Sequence, residues 1–108
     1  MTLDEASQIY SNIHSSQQKE LVDELVEYAV RYAEIRVSWL LASNEARLEM
    51  DDARTRAHDA FIDACNILSR NMQSAGEDNS WRVNLGNVRK TIGDFACLLH
   101  CILGIQAR

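Results

Sequence analysis

Residues 88–103 read V-R-K-T-I-G-D-F-A-C-L-L-H-C-I-L, and the rest of the chain is arranged around them. The larger apolar residues recur at intervals of 4, 3, 4 and 3, which places them on one side of an α-helix: Val88, Ile92, Phe95, Leu99 and Ile102. The opposite side carries few charges and instead gathers small residues and one imidazole: Gly93, Cys97, His100, Cys101 and Gly104. A helix that is apolar nearly all round has neighbours on both sides. The pattern therefore predicts an interior or interface helix over about 88–104.

The apolar part of this helix is too short to be a transmembrane segment. The run from Phe95 to Ile105 lacks Asp, Glu, Lys and Arg, but it falls far short of the roughly 20 residues that a bilayer requires. The first residues, M-T-L-D-E-A-S-Q, do not resemble a signal peptide. Three cysteines, an odd number, indicate no disulfide framework. We expect a reduced, cytoplasmic protein without a membrane partner.

The composition favours helices and a single domain. The 108 residues include no proline and four glycines, which leaves little turn-forming sequence, and 46% of them are hydrophobic. The formal net charge is −5, from 11 basic and 16 acidic residues, and no basic stripe is present to bind nucleic acid. We expect one all-α domain over 1–108 that has its own core.

Three main helices and a short first one account for most of the chain. Thr2 and Glu5 have capping-box spacing, which predicts a short helix over about 2–14. A seam from Leu21 to Trp39, at intervals of 4 and 3, predicts a helix over about 16–42. An alanine-rich stripe predicts another over about 45–73, since small residues let two helices approach closely in a hairpin. With 88–104, this predicts a bundle of three main helices plus the N-terminal one.

A turn at Ser43-Asn44 separates the second helix from the third in this prediction, because serine is a preferred N-cap. The apolar seam nevertheless continues through Ala42, Ala46 and Met50. A single helix from about 16 to 73 is therefore the alternative, and it would need a partner chain to bury its apolar face.

A loop over 74–80, S-A-G-E-D-N-S, precedes a short helical turn that Gly86 ends. Asn87 is the predicted N-cap of the last helix. Trp81 lies within the short turn, and two roles are open to it. An exposed tryptophan often anchors a partner protein, whereas a buried one would close the end of the bundle, and we favour the second role.

Cys97, His100 and Cys101 form the sharpest candidate for chemistry. Spacings of i, i+3 and i+4 bring two thiols and an imidazole together on a helix, as zinc ligands or as a redox sensor, and His58 and Cys65 are further candidate donors. The sequence lacks the C-x₂-C pairs of known zinc modules. Free cysteine also behaves as a small hydrophobe. We favour that structural role and expect no cofactor.

The same residues then indicate a contact surface. A contiguous apolar face left in water is a liability, so we expect a partner chain to cover it. The predicted homodimer interface comprises Gly93, Cys97, Cys101 and Gly104 together with the edge of the second helix, and Trp81 is the further candidate anchor. An unidentified protein partner is the other occupant that we consider.

An enzymatic alternative rests on pairs of acidic residues three apart. They resemble the E-x-x-E and E-x-x-D pairs of the all-α nucleotide pyrophosphohydrolases, which bind magnesium between helices. The pairs are Glu20 with Asp23, Glu24 with Glu27, and Glu49 with Asp52. Such spacing arises by chance on acidic helices, no Lys or Asn set completes the site, and no catalytic motif is present. We assign no catalytic residue.

His58 is the other candidate base, next to Asp59 in the sequence. Adjacent residues on a helix point roughly 100° apart, so the two side chains are not expected to meet. Arg54, one turn earlier, is the predicted neighbour of His58 instead.

Two stretches, H-D-A-F-I-D-A-C-N-I-L-S-R-N-M (58–72) and R-K-T-I-G-D-F-A-C (89–97), resemble an uncharacterised family of small all-helical bacterial proteins. The resemblance covers roughly the second half of the chain. It implies a helical fold and a bacterial cytoplasm, and it brings no activity and no catalytic residues. The leading functional prediction is thus a non-enzymatic interaction or regulatory module that acts as a homodimer.

Overall fold

The computed structural model describes residues 1–107, which form five α-helices and no strand. The helices are α1 (Leu3–His14), α2 (Lys19–Leu41), α3 (Asn44–Ser74), α4 (Ser80–Leu85) and α5 (Arg89–Gln106). The predicted all-α class is confirmed. The three long helices correspond to α2, α3 and α5, with bounds that differ from the predicted ones by up to three residues.

The capping box at the start of α1 is present as predicted. The Thr2 hydroxyl accepts a hydrogen bond from the Glu5 amide (3.1 Å), and a Glu5 carboxylate oxygen accepts one from the Thr2 amide (3.2 Å). The Thr2 hydroxyl also donates to the Glu5 carboxylate (3.0 Å), and this bond, together with that from the Thr2 amide, lowers the pKa of Glu5. The helix buries Ala6, Ile9 and Ile13, and it packs against α5 and α2.

A turn at Ala42–Ser43 separates α2 from α3, and the two helices form an antiparallel hairpin. Ala42 has an extended backbone, and the Ser43 hydroxyl accepts a hydrogen bond from the Ala46 amide (3.2 Å). Arg47 crosses the turn and donates to the carbonyls of Trp39 and Leu40, both at 2.9 Å, which satisfies acceptors at the end of α2. The alternative of one uninterrupted helix is wrong.

The inner face of α5 is part of the core, where it packs on α1, α2 and α3. Phe95 and Leu99 are fully buried and Ile102 nearly so, as predicted. The Phe95 ring lies 5.9 Å from that of Phe61, between centroids. Val88, which was predicted to share this stripe, is 66% exposed because the helix begins only after it.

The connection between α4 and α5 differs from the prediction at Asn87. Val88 occupies the N-cap position of α5 and makes no side-chain cap, while the Asn87 side chain accepts a hydrogen bond from Arg82 (2.7 Å). Arg82 also donates to the Gly86 carbonyl and to the Asn66 side chain of α3, both at 2.7 Å. Gly86 ends α4 as predicted, with a φ of 71° that favours glycine.

Candidate functional site

A groove runs along the outer side of the α2–α5 pair and is named here the α2/α5 groove. It encloses about 470 Å³ and has mostly apolar walls. The α2 wall consists of Ala33, Glu34, Val37 and Ser38, and the α5 wall of Cys97, His100 and Cys101. The predicted reverse face of the last helix thus forms one wall of a concave surface.

Small side chains line much of this groove, which keeps it open to a neighbouring helix. Ala33 is buried and Cys97 is half-buried, whereas Cys101 is exposed, as is Gly104 one turn further along α5. A Cβ atom built on Gly104 would meet nothing within 4 Å. Val37 is 48% exposed on the opposite wall. Small residues allow another helix axis to come close, so the groove suits a helical partner.

Two of the predicted interface residues lie inside the chain instead. Gly93 is covered by Arg36 of α2, whose Cζ atom would be only 2.9 Å from a Cβ at that position. Trp81 is 3% exposed, which confirms its predicted role at the end of the bundle. Neither residue is available to a partner, because a neighbouring element of the same chain already covers it.

Arg36 links α2 to α5 beside the groove. Its Nη1 atom donates to Asp94 Oδ1 (2.9 Å) and to Cys97 Sγ (3.7 Å), and Lys90 Nζ donates to Asp94 Oδ2 (2.8 Å). Burial raises the pKa of Asp94, but the hydrogen bonds from Lys90 and Arg36 outweigh it and lower that pKa below its ordinary value of 3.8. Burial lowers the pKa of Arg36, but its hydrogen bonds to Asp94 and Cys97 outweigh that effect, and the pKa is raised.

The predicted donors of a Cys/His metal site do not converge. Cys97 contacts Arg36, while His100 and Cys101 face outward on the groove wall. Cys65 is fully buried, and that burial raises its pKa to about 12 despite an opposing effect of Arg82. Within residues 1–107, no group of three or more His, Cys, Asp or Glu side chains has an arrangement that could hold a metal ion. The metal site stays a sequence-based prediction.

The prediction that His58 and Asp59 would not meet is wrong, since His58 Nδ1 lies 3.0 Å from Asp59 Oδ1. Arg54, the predicted neighbour of His58, lies instead over the Trp39 ring, with its Cζ 4.0 Å from the ring centroid. The other His58 nitrogen, Nε2, is buried without a hydrogen-bond partner among the described residues. The His58 ring lies edge-on to that of Tyr32, at 5.6 Å.

The acidic pairs lie on the outer faces of α2 and α3, in water. All six members are exposed: Glu20, Asp23, Glu24, Glu27, Glu49 and Asp52. Glu27 forms an ion pair with Arg31, one turn later on the same helix. This is the ordinary arrangement of acidic residues on a solvated helix face.

A second cavity, of about 300 Å³, lies between α2, α3 and α5 and was not predicted from the sequence. It is lined by basic residues from all three helices and by the aromatic rings of Tyr32 and Trp39. The contributing cations are far apart in sequence, so no local motif announces them. Only the antiparallel packing of α2 against α3 and α5 brings them together.

No family model matches the chain, and neither a curated protein nor a solved structure matches it. The resemblance to uncharacterised helical bacterial proteins stays a prediction. None of the helices within residues 1–107 is both long enough and apolar enough to cross a bilayer.

Proposed function

We propose that the chain is a non-enzymatic interaction module that acts as a homodimer, with the α2/α5 groove as the surface between the two copies. The observation that carries the proposal is the combination of an exposed valine, Val37, with a concave wall of small residues that no described part of the chain covers. Exposed concave apolar surfaces are the usual sites of protein association.

The two walls of the groove carry different residues, which a two-fold dimer would pair reciprocally. A two-fold axis parallel to the helices would lay α2 of one copy over α5 of the other. Glu34 and His100 line opposite walls of the groove, so Glu34 of each copy would face His100 of the other copy across the interface. The imidazole N–H donates a hydrogen bond to a carboxylate, and Val37 of each copy would pack on the small side chains of Cys97 and Cys101.

The apolar surface extends beyond both ends of the groove. Leu41 is 84% exposed, one helical turn beyond Val37 on α2, and the exposed Ile105 follows one turn beyond Cys101 on α5. Because α2 and α5 run antiparallel, these two residues lie at opposite ends. A stable interface buries roughly 800 Å² per partner, so the whole strip, and not the groove alone, would form the contact.

Two valine substitutions test the proposal by sedimentation velocity on reduced protein. At about 50 µM we expect the unmodified chain to sediment as a dimer and Val37→Glu as a monomer, because a buried unpaired carboxylate is costly. Val83→Glu is the matched control, since Val83 is 83% exposed on α4 and does not line the groove. It should remain dimeric. A monomeric unmodified chain would overturn the dimer, and a dimeric Val37→Glu would overturn its location.

A further inference from the structure

Four basic side chains converge on the cavity between α2, α3 and α5, although the chain as a whole is acidic. Arg36 comes from α2, Arg54 from α3, and Arg89 and Lys90 from the start of α5. These are four of the eleven basic residues in a sequence of net charge −5. Such a concentration in one concave site creates a local positive potential that attracts anions.

One carboxylate offsets this charge within the described residues. Asp94 accepts hydrogen bonds from both Arg36 and Lys90. Arg54 packs on the Trp39 ring, and Arg89 donates to the Thr55 hydroxyl (3.2 Å). Neither Arg54 nor Arg89 has a carboxylate within 4.0 Å in residues 1–107. The cavity therefore keeps an excess of positive charge with hydrogen-bond donors to spare.

The start of α5 adds donors to the same site. The 18-residue helix α5 begins at this cavity, has no acidic residue in its first turn, and has no side-chain N-cap. Its first backbone amides and its dipole favour a negative group there.

From these features we infer that the cavity binds a small phosphorylated anion, either a phosphate ester or a diphosphate. Guanidinium groups match phosphoryl oxygens in geometry, and the excess charge suits a group that carries two or more negative charges. A volume of about 300 Å³ lies at the small end of ligand sites. Tyr32 and Leu40 supply an apolar wall for the rest of the molecule.

Calorimetric titration of the full chain with inorganic pyrophosphate tests this inference, with sulfate as the comparison anion. We expect pyrophosphate to bind with a dissociation constant below about 1 mM and at least about tenfold more tightly than sulfate. Arg54→Gln and Arg89→Gln should each weaken pyrophosphate binding about tenfold, the usual effect of losing one charged hydrogen bond. Arg70→Gln, an exposed arginine of α3 outside the cavity, is the matched control and should change the affinity less than about twofold.

Absence of pyrophosphate binding at about 10 mM would overturn the inference. So would equal affinities for pyrophosphate and sulfate, or an equal loss of affinity in Arg54→Gln, Arg89→Gln and Arg70→Gln. Arg89 is exposed, so its substitution keeps the test decisive even if Arg54→Gln unfolds the chain. The cavity lies within one copy, so Val37→Glu should bind pyrophosphate like the unmodified chain, which separates this test from that of the dimer.

Discussion

Leu99 is a core residue whose burial should contribute strongly to the free energy of unfolding. It is fully buried on the inner face of α5, the helix that packs on α1, α2 and α3. Leu99→Ala should lower the free energy of unfolding by about 2–5 kcal/mol, because it removes a buried side chain and leaves a cavity. Urea denaturation followed by circular dichroism measures this change.

Leu48→Ala is the control for that substitution, since Leu48 is exposed on α3. It should change the free energy of unfolding by no more than about 0.5 kcal/mol. Equal effects of the two substitutions would contradict the burial of Leu99.

Periodicity predicted the apolar residues well and the long polar side chains poorly. Phe95, Leu99 and Ile102 are buried where a repeat of 3.6 residues places them. The partners of Arg82, by contrast, come from α3 and from the loop before α5, which only tertiary packing brings within reach. Arg54 likewise packs on Trp39 of another helix, a contact that the local sequence does not indicate.

At the scale of helices, Asp94 joins α5 to α2 through Arg36 and makes that contact sensitive to acid. Its pKa is lowered in the folded chain, below the ordinary value of 3.8. Its stabilising contribution is therefore present above about pH 4 and is lost as the pH falls through the folded-state pKa. Asp94→Asn should cost about 1–2 kcal/mol near neutral pH, an estimate for a partly buried charged hydrogen bond.

Urea denaturation at about pH 7 and about pH 3 checks this prediction. The difference in the free energy of unfolding between Asp94→Asn and the unmodified chain should shrink at the lower pH. A difference of the same size at both values would mean that the carboxylate charge does not stabilise the α2–α5 contact.

The sequence predicted helix boundaries correctly where the capping residue and its hydrogen-bond partner lie close together along the chain. The Thr2 and Ser43 caps lie within three residues of their partners and were predicted correctly. At the start of α5 no local side chain serves as a cap, and Asn87, which looks suitable, is bound by Arg82. Local signals thus identify a helix end only when no distant side chain competes for the capping residue.

At the scale of the whole molecule, the described chain extends over 47 × 30 × 22 Å. The α2/α5 groove lies on the outer side of the α2–α5 pair, and the cationic cavity lies between α2, α3 and the start of α5. Patterning predicted an apolar face on the last helix, with the edge of the second helix beside it, but not that the two helices would form the walls of one groove. The cationic cavity had no signature in the sequence, since its four basic residues span positions 36 to 90.

A substitution at Gly104 should affect the stability of one copy and the association of two copies in opposite directions. A Cβ there meets nothing in the same chain, so Gly104→Ala should raise the free energy of unfolding of the isolated copy by about 0.5–1 kcal/mol. The same methyl group should weaken the dimer, because it holds the facing helix further away. Thermal unfolding in the Val37→Glu background measures the first effect, and sedimentation measures the second. A dimer that Gly104→Ala strengthens would contradict close packing at this position.

Native mass spectrometry of the reduced chain at about 20 µM tests the homodimer most directly, because one measured mass gives both the number of chains in the complex and any bound metal. We predict a mass of two chains with no excess that corresponds to zinc or magnesium. A dimer with about one zinc per chain would support the Cys97, His100 and Cys101 site predicted from the sequence. A mass of one chain at this concentration would contradict the proposed dimer across the α2/α5 groove.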